Sequence, residues 1–170
     1  MAILPRVLRN FDIDVDGVGY AGRVREFTPP PITIKTEDFQ GGGMDGTAKI
    51  DVGMDPLDAS MVFAEIDPGI IGQGSLIRGP VTTYLLRGAL KREGERAVPI
   101  RMAMRGSWTG IDWGTLSAGA VNNLTVNFHC RYFRLDINKV RYHEIDVERM
   151  IRVINGIDEL ADIRDAMGAG

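Results

Sequence analysis

Leu124-Thr125-Val126-Asn127-Phe128-His129-Cys130-Arg131-Tyr132-Phe133-Arg134-Leu135-Asp136-Ile137 decides the fold class. Leu124, Val126, Phe128, Cys130 and Tyr132 alternate with polar residues, the period of a half-buried strand. The phase then flips to Phe133, Leu135 and Ile137. A flip inside one strand predicts a bulge or a change of the buried face. His129 and Cys130 are adjacent, so a strand points them to opposite faces and they cannot act as a base–nucleophile pair. Cys130 shares the apolar register and reads as a small buried hydrophobe.

The same period recurs on both sides of this stretch. Val98, Ile100, Met102 and Met104 alternate with Pro99, Arg101, Ala103 and Arg105. Val81 to Arg92 is a matching strand, joined through a turn at Glu93-Gly94-Glu95. Pro99 lacks a ladder donor and belongs at an edge or a strand start. Ala48, Ile50, Val52 and Met54 mark another strand, and Lys139 to Val147 a further one. Asp16-Gly17 is a hairpin dipeptide between Asp12–Val15 and Gly19–Arg25. The expected architecture is a mainly β, antiparallel sandwich with one C-terminal helix. That helix is expected over 156–167, from Ile157, Leu160, Ala161, Arg164 and Met167. Asn155-Gly156 reads as its start, Gly168 as its stop, and Asp158 and Glu159 as its first turn. A short helical turn is expected near Pro68 to Gly72. Gly106 to Gly119 reads as a glycine-containing loop whose Trp108 and Trp113 either anchor an interface or cap the core.

The chain has 170 residues, enough for one domain, and is 44% hydrophobic, enough for a core. Its net charge of −3 argues against a protein that coats nucleic acid. One cysteine excludes an internal disulfide, and two histidines leave little metal-binding capacity. No apolar run reaches membrane-span length and no secretory segment opens the chain. These features point to a soluble protein of a reducing cytosol.

The net charge hides a division. Residues 1–77 carry 6 basic and 12 acidic groups, 78–105 carry 7 and 2, and 106–170 carry 7 and 9. Such asymmetry suggests complementary patches, the basic one carried by Arg87, Lys91, Arg92, Arg101 and Arg105. Asp12, Asp14 and Asp16 share one strand face and read as a solvent-facing acidic stripe, without the loop signature of a calcium site. Gly41-Gly42-Gly43 lacks the Lys-Ser/Thr ending of a phosphate loop. His143 and Glu144 also point to opposite faces. No nucleophile–base or metal set emerges, so neither enzyme activity nor a cofactor is expected. Thr28-Pro29-Pro30-Pro31 is a stiff stem, and the glycine-rich stretch that follows is a mobile tip.

Several segments together resemble the major tail tube proteins of contractile-tailed bacteriophages and R-type pyocins, relatives of the type VI secretion tube. They are Phe11-Asp12-Ile13-Asp14-Val15-Asp16-Gly17, Gly22-Arg23-Val24, Lys35-Thr36-Glu37-Asp38-Phe39, Gly41-Gly42-Gly43-Met44-Asp45-Gly46, Ile50-Asp51-Val52-Gly53-Met54 and Val153-Ile154-Asn155-Gly156-Ile157-Asp158-Glu159-Leu160. The resemblance implies a β-sandwich or half-barrel subunit. Six would form a ring with a continuous inner β-barrel, and rings would stack into a tube inside a sheath. It implies self-association, with sheath, tape-measure, baseplate and tail terminator proteins as further partners. DNA would meet the tube only in transit, and the subunit would not bind membrane. The expected place is the phage tail, made in the host cytoplasm.

Within that frame, 29–47 is expected to be an inter-ring arm, with Glu37, Asp38, Phe39, Gly41, Gly42, Gly43, Met44 and Asp45 at its tip. Asp158, Glu159, Asp162 and Asp165 are expected to face the sheath. A lumen that lets a polyanion slide should be neutral or acidic overall, because unpaired Lys and Arg bind phosphate. Arg87, Arg101 and Arg105 lining it without acidic partners would break this expectation. The alternatives are the tube of a bacteriocin or secretion system, and a β-barrel module for a small ligand.

Overall fold

A computed structural model describes residues 4–73 and 81–168. In chain order it contains β1 (Val7–Val15), β2 (Val18–Gly19), β3 (Val24–Thr28), β4 (Ile34–Phe39), β5 (Ala48–Met54), β6 (Leu57–Phe63), α1 (Pro68–Gln73), β7 (Thr82–Lys91), β8 (Val98–Asp112), β9 (Leu124–Ile137), β10 (Val140–Asp146), β11 (Ile151–Ile154), β12 (Ile157–Asp158) and α2 (Ala161–Met167). One sheet runs β12-β11-β10-β9-β8-β7-β1-β2, and β6 and β3 branch from it at β9. All pairings are antiparallel. The short helix near Pro68 is present as α1.

The stretch quoted first is the axis of the fold. β8 pairs with one edge of β9. Along the other edge, β6 covers Leu124 to Cys130 and β10 covers Tyr132 to Ile137. Between these blocks Arg131 is an extra residue, because Arg105 faces Tyr132 and Gly106 faces Cys130. This bulge is the expected phase flip, and it turns Phe133 inward as Cys130 is turned inward before it. Gly106 permits the close approach: a Cβ there would sit 2.1 Å from the His129 carbonyl oxygen.

The sheet curls into a half-barrel that folds over its own core. The Tyr84 ring of β7 stacks on Phe128 of β9 with centroids 4.3 Å apart, although β8 lies between their strands. Ile13, Met61, Phe63, Met104, Leu124 and Val126 fill the space around them, each at most 1% exposed. Cys130 is buried there, and burial pushes its thiol up to about 12.

Three elements differ from expectation. Gly106 to Asp112 is strand, not loop, because Ser107, Trp108 and Ile111 pair with β9. Trp108 is therefore a core residue, and only Trp113 lies in the loop. The second difference is at the C-terminus, where the helix spans Ala161–Met167 rather than 156–167. Asn155 and Gly156 both have positive φ and form a two-residue hairpin turn joining Ile154 to Ile157. The dipeptide that read as a helix start closes a hairpin, as Asp16-Gly17 does between Val15 and Val18. Third, Ala48 to Met54 is a strand as expected, but residues 48–52 are exposed rather than half-buried.

Candidate assembly interface

β4 and β5 form a two-stranded sheet that pairs with no other strand among the described residues. This hairpin, the arm, runs over 34–54 and overlaps the 29–47 segment expected between rings. At about 3.4 Å per residue it is roughly 20 Å long. Glu37, Asp38 and Phe39 lie on β4; Gly41, Gly42, Gly43, Met44 and Asp45 make the turn. The Met44 amide donates to the Gly41 carbonyl at 3.1 Å, and Gly43 supplies the positive φ.

The hairpin has two unlike faces. Phe39 opposes Ala48 and Glu37 opposes Ile50 on one face. Asp38 opposes Lys49 and Thr36 opposes Asp51 on the other. The first face is mostly apolar and open, with Phe39 53% and Ile50 48% exposed. The second face anchors the arm. Arg152 of β11, 8% exposed, donates from Nη2 to Asp51 Oδ2 at 2.8 Å, and its Nε lies 2.9 Å from Glu159 Oε2. The Gly53 amide, donating at 2.8 Å, and then Arg152 hold the Asp51 carboxyl below its ordinary range.

The expected sheath-facing acids divide. Asp158 is in β12, where it pairs with Arg164 at 2.6 Å and accepts from the Leu160 amide. Glu159 is engaged by Arg152. These two serve the fold, because the chain there is hairpin and turn rather than helix. Asp162 and Asp165 remain exposed on α2.

The basic patch is also partly committed inside the chain. Arg87 pairs with Asp14 at 2.5 Å and lies 3.7 Å from Asp12. Asp12 and Asp14 are consequently not a free acidic stripe, and Asp16 accepts from the Thr83 amide at 2.7 Å. Arg92 pairs with Glu95. Arg105 lies 3.5 Å from Asp146 and over the Tyr132 ring. Register sets Asp12, Arg87, Arg101 and Asp136 in one row across β1, β7, β8 and β9. Lys91 and Arg101 have no ion pair among the described residues, so the patch is smaller than the residue count suggested.

Two of the open strand edges of this sheet, on β1 and β10, were invisible in the sequence. Val7 to Asp12 has no strand partner on its second side among the described residues, because β2 covers only Asp14 and Val15. At the far side of the same curved sheet, β11 covers His143 to Asp146 and leaves Val140 and Arg141 open. Both edges carry exposed apolar side chains, Val7 and Leu8 on one and Val140 and Tyr142 on the other. The apolar residues were readable; which strand lacked a neighbour was not.

The comparisons with known proteins agree with this picture of an assembling β subunit. A model of the phage tail tube protein FII family matches residues 5–168. The chain belongs to that family. It is 34% identical to the major tail tube protein of Serratia phage KSP20, over 98% of each chain. It is 30% identical to the tail tube protein of Escherichia phage P2, over 97% of this chain and 98% of the relative. Its fold is shared by the sheath/tube terminator of the extracellular contractile injection system PVC, at TM-score 0.60, 10% identity and 78% and 97% coverage of the two chains. The PVC sheath-tube complex gives TM-score 0.58 at 9% identity, covering 78% and 91%. This is a tail tube protein, a structural component of the virion made in the host cytoplasm.

Proposed function

We propose that the chain forms hexameric rings whose strands close into one β-barrel, stacked as the inner tube of a contractile tail. The observation that carries this reading is the pair of unlike open edges, β1 at Val7 to Asp12 and β10 at Val140 and Arg141, on opposite sides of one curved sheet. Unlike edges that meet head to tail make a ring when the rotation closes. Closure also removes exposed edges that would otherwise recruit stray strands.

The charged sheet face carrying Arg87, Arg101 and Arg105 is the face assigned to the lumen. Arg87 and Arg105 already have carboxylate partners, so DNA in transit would meet a largely neutral wall. Asp162 and Asp165 on α2 are the residues assigned to the sheath. Tape-measure, baseplate and terminator proteins would meet the tube within its lumen or at its ends.

Negative-stain imaging with size-exclusion chromatography tests the ring. Val7→Asp and Val140→Asp should each leave a folded monomer that forms no rings. Rings from both variants would overturn the edge assignment. Charge reversal at Asp162 and Asp165 should weaken sheath decoration and spare bare tubes; unchanged decoration removes that assignment. A second reading, the tube of a particle that carries no genome, draws on the fold shared with contractile injection systems. DNA content of the particles separates the two.

A further inference from the structure

We infer that the apolar face of the β4–β5 hairpin seats in an apolar groove of a second copy, so that each arm tip docks at the root of another arm. The inference rests on the proposed stacking of rings and names the socket that stacking would use. An isolated two-stranded hairpin is marginal in water and needs a surface to pack on. This one has a surface on one side only. Its polar face is tied to the body through Asp51 and Arg152, while Phe39 and Ile50 stay open on the other. Apolar residues arranged on one face of a protruding hairpin mark the side that is covered on assembly.

The groove has a volume of about 470 Å³; Met54, Leu57, Ile145, Val147, Ile151 and Leu160 make its apolar wall, and the carboxylates Asp55 and Asp146 also line it. Val147 on its rim is 57% exposed. Two features make a second copy the occupant. Met54 belongs both to β5 and to the groove wall, so an arm seated there lies against the root of the resident arm. Residues 37–46 also carry three carboxylates, Glu37, Asp38 and Asp45, and no cation. Arg149, in the turn beside Val147, is largely exposed, and its one ion-pair partner among the described residues, Asp146, is 3.9 Å away. Arg149 directly precedes the groove-lining Met150, at the rim where an acidic tip would meet it. Tip and root are different surfaces of one chain, so the contact is head to tail and can repeat along a stack of rings, as a filament requires.

The test uses Phe39→Asp for the arm and Val147→Asp for the groove. Both residues are exposed in the subunit, so each variant should keep the unaltered melting temperature. Neither should form tubes alone. Mixed, they should form one junction and stop, because the Phe39→Asp copy still offers a groove and the Val147→Asp copy still offers an arm. Double-layer particles without long tubes are the expected image. Full-length tubes from Phe39→Asp would overturn the arm reading itself. Full-length tubes from Val147→Asp, with Phe39→Asp blocked, would leave the arm standing and overturn the groove. An Ile50→Cys copy mixed with a Val147→Cys copy should cross-link on oxidation, and no cross-link in assembled tubes would also overturn it.

Discussion

The indole N–H of Trp108 donates to the hydroxyl oxygen of Tyr84 at 2.6 Å across the core. Trp108 is 5% exposed and Tyr84 fully buried. Burial pushes the Tyr84 hydroxyl far up, so it stays protonated at any working pH. Tyr84→Phe keeps the ring stacked on Phe128 but leaves a buried indole donor unpaired, which costs about 1–3 kcal/mol. Urea unfolding followed by tryptophan fluorescence should show a lower midpoint at an unchanged slope. An unmoved midpoint would mean that the bond contributes nothing net.

At Gly106 the backbone of β9 lies too close to β8 for a side chain. A methyl group there would meet the backbone at His129 and Cys130, and backbone cannot rotate away as a side chain can. Gly106→Ala should therefore destabilise by about 1–3 kcal/mol or more, as overpacked cores do. Calorimetry of the monomer reads this directly; a full-stability variant would show that the bulge is soft.

Cys130 is buried and its thiol is pushed up to about 12. The thiolate is the reactive form, so almost none is present at neutral pH. Labelling by an aromatic disulfide reagent should proceed only as fast as the chain unfolds, and denaturant should accelerate it steeply. Fast stoichiometric labelling of the folded subunit would contradict the burial.

Asp51 anchors the arm, and its carboxyl sits below the ordinary value of 3.8. A carboxylate with a lowered folded value stabilises above its unfolded value and loses that contribution as pH falls through the folded one. The anchor should hold at neutral pH and release only in acid, below about pH 4. Asp51→Asn imitates the protonated state. At neutral pH it should speed amide exchange in residues 34–54 while leaving β7 to β9 protected. Unchanged exchange in the arm would show that Arg152 does not restrain it.

Alternation was enough to read the long strands, because each has one face in the core and one in solvent. Leu124 to Ile137 even disclosed its bulge through the phase of its side chains. The Asn155-Gly156 turn was misread because an apolar helical spacing happened to continue through a hairpin. Ile50 and Val52 illustrate a different limit. Alternation reports that a strand has an apolar face, not whether the chain itself covers it. The open edges at Val7 and Val140 were illegible for the same reason, since pairing partners are fixed by topology rather than by local pattern. Asp158 and Glu159 were placed on a surface by composition, while their arginine partners lie in contact only after β11 and β12 pair.

The single extra residue at Arg131 sets a rule for how such a chain tolerates changes in length. One residue inserted or deleted between Leu124 and Ile137 would invert every side chain beyond it, sending Phe133 and Leu135 to water and Arg134 into the core. β6 and β10 would lose register at the same stroke, since both hydrogen-bond to this strand. The length of β9 is thus a frozen dimension of the subunit. Variation in size has to be absorbed where no ladder is read in step, at the Gly41–Asp45 turn or in the loop between Asp112 and Leu124.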